Sequence, residues 1–293
     1  MMRTSDHSKT IIITGANTGI GKAAAIKLAA LGAQVILACR SEERGKVALE
    51  EIKETAGSNL VNLMCVDMAS QSSIHKFTEE FISKYDHLDV LIHNAANFDL
   101  SMKTPVLTED GIETIFATNH LGPFLMTGLL MDTLKESAPS RIITVASKGL
   151  MMYPNLNIEF DNLNGEKRFN PQHAYYHSKL AQVMFTYQLG YKLDGTGVTA
   201  NCIRVTNVAL PDDRLTHLPS WQQKIYKIKR RMAITAEQQA ETYVYLALSN
   251  DVEGITGGYW DEKNHQVKSS TYSYDLQAQE KLWSVSEQLT HLD

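Results

Sequence analysis

The chain is predicted to fold as a doubly wound α/β domain, with a parallel sheet and helices on both faces. Two observations predict it. Short β-branched runs alternate with longer amphipathic segments, and the runs are apolar at nearly every position, as strands buried on both faces are. A glycine-rich turn, Gly15 to Gly21, also sits directly between the first run and the first helical segment. With 293 residues and 43% hydrophobic content, one domain spanning 1–293 would bury a sizeable core.

The elements follow in order. A first strand is expected over 10–14 (TIIIT), then the glycine turn, then a helix beginning near Ile20. Further strands are expected over 33–39, 60–66, 88–93, 141–145 and 198–203, with amphipathic helices over 42–55 and 72–84 among them. Strands alternating with helices in this way build parallel βαβ units. The segment 210–232 breaks the alternation: it is rich in charge and carries Trp221 and Tyr226. It stands equally as a lid over a substrate site, a surface helix or an oligomer contact. No internal repeat, low-complexity tract or linker interrupts the chain.

Composition excludes several classes. A net charge of −5 and a pI near 6.1 give no basis for a nucleic-acid or anionic-membrane partner. Cys39, Cys65 and Cys202 are far apart in apolar runs, so they are expected as core thiols of a reducing compartment. The polar start, Met1 to His7, is no signal peptide, and no apolar run reaches the roughly 18 residues of a membrane span. A cytoplasmic protein without an integral membrane segment is expected. The histidines His93, His120, His173 and His177 are scattered and make no metal set, so no metal is expected.

The glycine turn has the chemistry of a phosphate cradle. Gly15, Gly19 and Gly21 allow a tight turn whose backbone N–H groups approach a pyrophosphate at a helix N-terminus. After the second strand, where an acidic residue would accept from the ribose 2′-hydroxyl of NAD, the chain has Cys39 and then Arg40. A guanidinium there suits the 2′-phosphate of NADP. Far downstream, Tyr175 and Lys179 stand four residues apart and share a helix face. A nearby cation favours the phenolate, so Lys179 is expected to bring the Tyr175 pKa toward the working range. Tyr176 has Leu180 at the same spacing and lacks such a partner. A dinucleotide turn with a Tyr/Lys pair points to hydride transfer between a nicotinamide and a carbonyl or alcohol.

These residues together resemble the short-chain dehydrogenase/reductase family, whose fold is a Rossmann domain, over nearly the whole chain. Thr14-Gly15-Ala16-Asn17-Thr18-Gly19-Ile20-Gly21 is similar to its glycine motif, and Val66-Asp67-Met68 to its adenine-contacting aspartate. Asn94-Ala95-Ala96 resembles its Asn-Ala-Gly, with Ala96 in place of glycine. Asn119, Ser147, Tyr175 and Lys179 match its active-site residues. Stretches such as Gly257-Gly258-Tyr259-Trp260 and Lys281-Leu282-Trp283 are similar to the retinol-dehydrogenase-like branch.

The resemblance implies an NADP(H)-dependent carbonyl reductase or alcohol dehydrogenase. In it Tyr175 is the acid-base group, Lys179 tunes the phenol and bonds the nicotinamide ribose, and Ser147 orients the carbonyl. Asn119 would hold a water relay reaching Lys179. The cofactor would be met by Gly15, Asn17, Thr18, Gly19, Ile20, Gly21, Arg40, Asp67, Met68, Asn94, Ala95, Tyr175, Lys179 and Asn207. A small hydrophobic carbonyl or alcohol is the expected substrate, and a homo-oligomer is allowed by analogy.

One stretch departs from the pattern. After the sixth strand the family usually reads Pro-Gly with a hydroxyl residue soon after, whereas this chain reads Val205-Thr206-Asn207-Val208-Ala209-Leu210. Asn207 is a candidate replacement for the nicotinamide contact. The same departure, with Ala96, leaves open an NADP(H)-binding redox sensor or assembly subunit with little turnover.

Overall fold

The computed structural model describes residues 8–208 and 233–292. The segment at 210–232, with Trp221, Tyr226 and Met232, lies outside the described residues, as does the stretch 1–7.

Seven strands form one parallel sheet: β1 (Thr10–Thr14), β2 (Gln34–Cys39), β3 (Val61–Cys65), β4 (Val90–His93), β5 (Ser140–Ser147), β6 (Val198–Val205) and β7 (Gly258–Trp260). Their order is β3-β2-β1-β4-β5-β6-β7. The chain winds outward from β1 through β2 to β3, then crosses back so that β4 lies on the other side of β1. This reversal opens a crevice at the carboxyl ends of β1 and β4, where doubly wound proteins bind ligands.

Helices α1 (Gly19–Ala30), α2 (Glu42–Ala56), α3 (Gln71–Lys84), α4 (Thr114–Phe116), α5 (Gly122–Leu129), α6 (Met131–Glu136), α7 (Pro171–Lys192), α8 (Ala236–Leu248) and α9 (Leu276–Thr290) cover the two faces. Alternation along β1 divides the core. Ile11 and Ile13 pack with Leu28, Ile52, Tyr243 and Leu246, whereas Ile12 packs with Phe77, Phe81, Phe124 and Phe185. Among the described residues, no helix is long and apolar enough to cross a membrane.

The expected strands all form, and two run further than periodicity indicates. β5 and β6 pair along eight residues each, ending at Ser147 opposite Val205. β7 is not anticipated, because three residues are too few to show a period. It is held by Asn201, whose Oδ1 accepts from Gly258 N (3.1 Å) and Trp260 Nε1 (3.0 Å) while its Nδ2 donates to the Ile255 carbonyl (2.7 Å).

The cysteine expectation needs one correction. Cys39 and Cys202 are buried, and burial raises both thiols to about 11, but Cys65 is exposed. Cys65 ends β3, the edge strand of the sheet among the described residues.

Candidate active site

The three glycines of the first turn do different work. Gly15 has φ +68 and lies so close to Ala95 that a Cβ would stand 2.9 Å from its Cα. Gly19 has φ +60 with nothing within 4 Å of an added Cβ, so its outer side is open. Gly21 is wedged: a Cβ there would meet Asn94 Nδ2 at 2.4 Å and the Gly15 carbonyl at 2.9 Å. Asn94 locks this arrangement, donating from Nδ2 to Thr14 O (2.9 Å) and Gly15 O (3.2 Å), while Ala95 N donates to Thr14 Oγ1 (3.0 Å).

The start of α1 fits an anion. Among the described helices of twelve or more residues, α1 is the one without a side-chain cap, and its first turn holds no acidic residue. Uncapped N–H groups and the positive end of the helix dipole thus face the opening beside Gly19, with Asn17, Thr18 and Ile20 around it. Arg40, at the end of β2, is exposed and makes no ion pair among the described residues; nearby Glu42 pairs with Lys46 at 2.7 Å instead. A cation left open beside an anion-binding turn fits a phosphorylated ribose. Asp67 receives Ala69 N on Oδ1 (2.9 Å), and Met68 is buried against Gly122.

The reacting groups expected from the sequence come together across β5 and α7. Asn170 caps α7 through His173 N (3.0 Å), which sets the phase of the helix and turns Tyr175 and Lys179 toward the end of β5. The Ser147 hydroxyl hydrogen-bonds the Tyr175 phenol and also receives Gly149 N (3.2 Å). Lys179, 2% exposed, places Nζ 5.7 Å from the centre of the Tyr175 ring and donates to the Val145 carbonyl at 2.7 Å. Burial lowers its pKa to about 8. Tyr176 packs on Gly149, lies tilted against Tyr153 (4.6 Å) and meets the Tyr175 ring edge-on at 5.3 Å.

One expectation is corrected here. Tyr175 is not brought down toward neutrality: burial pushes its phenol above the usual range, and the bond from Ser147 offsets only part of that. The cause is desolvation of the phenol, with the Tyr176 phenol beside it adding to the rise. Asn119 is buried and its side chain reaches α7. It lies in a π-helical turn, Ala117–Leu121, that frees its carbonyl from the helix ladder, and Gln182 Nε2 donates to that carbonyl. Its side chain receives Asn97 N (2.6 Å) and donates to Asn97 O (3.0 Å) and Ser178 Oγ (2.9 Å), joining the loop after β4 to α7.

The histidines His93, His120, His173 and His177 are packed or bonded. His93 and His120 are buried against Thr127 and Ser286 at 2.8 Å each, and His177 accepts Glu159 N at 2.9 Å. No metal-binding group of side chains occurs among the described residues.

Three site neighbours carry no motif and are not anticipated from the sequence. Phe98 lies with its ring 4.2 Å from that of Tyr175 and is 51% exposed. Tyr243 and Gln239 on α8 are fully buried: Tyr243 donates to Asn94 Oδ1 (3.0 Å), and Gln239 Oε1 accepts Thr206 N (3.1 Å). The capping box of Thr235 and Gln238 is the one sequence signal that marks the start of their helix. Asn207, exposed at the end of β6, offers its carbonyl to Ile234 N (3.1 Å). A solvent-open cleft of about 330 Å³ beneath the first turn of α7, between Glu113, Glu159, Arg168 and His173, lies apart from these residues.

Comparison with known proteins agrees with this geometry. A family model described as short chain dehydrogenase matches residues 9–212. Retinol dehydrogenase 14 of Mus musculus is 38% identical, covering 96% of this chain and 85% of that protein. Retinol dehydrogenase 11 of Homo sapiens is 37% identical, covering 95% and 84%. A crystal structure of an uncharacterized protein from Mycobacterium Paratuberculosis superposes with a TM-score of 0.75 at 27% identity, covering 99% of this chain and 97% of that one. The chain belongs to the short-chain dehydrogenase family and is an oxidoreductase of the retinol-dehydrogenase-like kind, which works with a nicotinamide cofactor.

Proposed function

We propose that the protein reduces a small apolar carbonyl compound with NADPH, Tyr175 giving the proton that completes the alcohol. The observation that carries the reading is the Tyr175 phenol, held by Ser147 and backed by the buried Lys179 one helical turn away. The bound nicotinamide supplies the hydride; the protein's residues supply position and the proton.

Reduction calls on the Tyr175 phenol in the protonated form in which it rests at neutral pH. A phenol that stays protonated through the neutral range is a donor in waiting, whereas oxidation of an alcohol needs a base. Ser147 would donate to the substrate oxygen, fixing it beside the phenol. Lys179, with a pKa of about 8, is mostly an ammonium at pH 7 and would stabilise the tyrosinate left after proton transfer. Asn119 supports the site by position, through Asn97 and Ser178.

Arg40 supports the choice of NADP(H) over NAD(H), being exposed and in no ion pair among the described residues, at the end of β2 where a 2′-phosphate would lie. Two further facts support an apolar substrate. Exposed Phe98 and Leu100 follow β4 and exposed Met151 and Met152 follow β5, with the Phe98 ring against that of Tyr175. The similar proteins are also named for retinol, an apolar alcohol. The sensor reading rests on the Val205-Thr206 departure, and the tether on Thr206 weakens it by restoring order to that loop.

The test is NADPH and NADH oxidation, followed by nicotinamide absorbance, with a panel of apolar aldehydes and ketones that includes retinal. The reading expects NADPH-selective turnover. Tight NADPH binding without turnover on the whole panel would support the sensor instead.

A further inference from the structure

We propose that Gln239 is a positioning residue that replaces a rigid turn at the end of β6, fixing the backbone wall beside the reacting phenol. The inference rests on the proposed reductase reading.

β6 ends at Val205, paired with Ser147, the residue whose hydroxyl holds Tyr175. The next residues therefore form the wall of the site on that side. Val205 and Thr206 are β-branched residues without the locked φ of proline. The segment is nonetheless tied down twice: Thr206 N donates to Gln239 Oε1 (3.1 Å), and Ile234 N donates to Asn207 O (3.1 Å). Both tethers come from the start of α8, whose own N-terminus is fixed by the Thr235 and Gln238 capping box.

Gln239 also shares a helix face with Tyr243, four residues on. Tyr243 grips Asn94, and Asn94 grips the glycine turn at Thr14 and Gly15. One face of α8 thus holds both lips of the crevice, the phosphate turn through Tyr243 and the β6 wall through Gln239.

Stability does not account for Gln239. It is 0% exposed, and its Nε2 has no hydrogen-bond partner among the described residues. Thr206 N–H requires an acceptor, so the amide cannot be turned to exchange the two atoms. Leaving a buried donor unpaired costs about 1–3 kcal/mol, and the single bond gained returns about 0.5–1.5 kcal/mol. A methionine would fill the same space and remove the unpaired Nε2, but it would leave Thr206 N without its acceptor, so the two costs roughly cancel. A residue that adds no net stability while holding a site wall is the pattern expected of a functional constraint.

The experiment compares wild type with Gln239→Met, and with Gln239→Met carrying Val205→Pro and Thr206→Gly. Three readouts are taken: thermal unfolding, emission anisotropy of bound NADPH, and kcat and KM for a carbonyl that wild type reduces. Gln239→Met is expected to melt no lower than wild type, to lower the anisotropy of bound NADPH, and to lose about 10- to 100-fold in kcat. Restoring Pro-Gly is expected to recover most of that loss. Unchanged anisotropy and kcat in Gln239→Met overturn the assignment. So does a parallel fall in melting temperature and kcat without rescue, which marks a merely structural residue. A wild type that does not bind NADPH overturns the reductase reading and this inference with it, whereas an active wild type with an indistinguishable Gln239→Met overturns this inference alone.

Discussion

Replacing Gly21 by alanine tests how the cofactor turn is built. The new Cβ would lie 2.4 Å from Asn94 Nδ2 and 2.9 Å from the Gly15 carbonyl, both well inside ordinary contact. Gly15 is backbone and cannot swing away, so Asn94 must move. Moving it gives up donations to Thr14 O and Gly15 O and the bond from Tyr243. Overpacking of this kind costs about 1–3 kcal/mol, and each hydrogen bond about 0.5–1.5 kcal/mol. Alanine returns about 1 kcal/mol through helix propensity. A net loss of about 4 kcal/mol follows, or about 8 °C in melting temperature for a chain of this size. Because Asn94 also pins the phosphate turn, NADPH affinity should fall about tenfold. Gly19→Ala is the control: it meets no atom within 4 Å, so it carries only the strain of a positive φ, about 1–2 kcal/mol. Thermal melts and NADPH titration by fluorescence give both numbers. A Gly21→Ala variant with wild-type melting and wild-type affinity would refute the wedge between α1 and Asn94.

Burial drives the pKa of His93 and His120 to about 3 and that of His177 to about 4. The unfolded chain binds protons near pH 6.5 that the fold refuses, so stability is full above that pH and falls as pH drops toward 4. Three such groups steepen the loss to about 4 kcal/mol per pH unit near pH 5; urea midpoints that stay level from pH 7 to 5 would contradict this. Arg40→Glu should raise KM for NADPH about tenfold or more and leave NADH little changed, since it removes a charge-assisted contact to the 2′-phosphate. An unaltered ratio of the two cofactors' KM values would remove Arg40 from the site. Asn201→Ala leaves Gly258 N, Trp260 Nε1 and Ile255 O without their partner. It should cost about 3 kcal/mol of stability, and a loss below about 1 kcal/mol would show that β7 is held by other means.

The sheet was legible because its strands are buried on both faces, so an apolar run such as Thr10–Thr14 announces itself locally. The site motifs were legible for a related reason: Gly15 to Gly21 is contiguous, and Tyr175 and Lys179 are one helical turn apart. What stayed hidden depends on distance along the chain. Nothing local to Tyr243 shows that it bonds Asn94, 149 residues away, and Gln239 reaches Thr206 across 33 residues. The pKa of Tyr175 was misjudged because spacing reports a neighbouring charge and not enclosure. Burial raises the phenol, and the Lys179 ammonium is itself buried and bonded to Val145. The role of Asn119 depends on a π-helical turn, a backbone detail that residue patterns do not carry.

The most direct test of the central claim compares Tyr175→Phe with wild type, measuring NADPH affinity and single-turnover reduction of an apolar aldehyde in the same buffer. The phenylalanine keeps the packing against Phe98 and loses only the proton donor. NADPH affinity within about threefold of wild type, with turnover reduced by about 10²–10⁴-fold, is the predicted result. Turnover that survives in Tyr175→Phe would show that the proton comes from another group, and the mechanism built on Tyr175, Ser147 and Lys179 would be wrong.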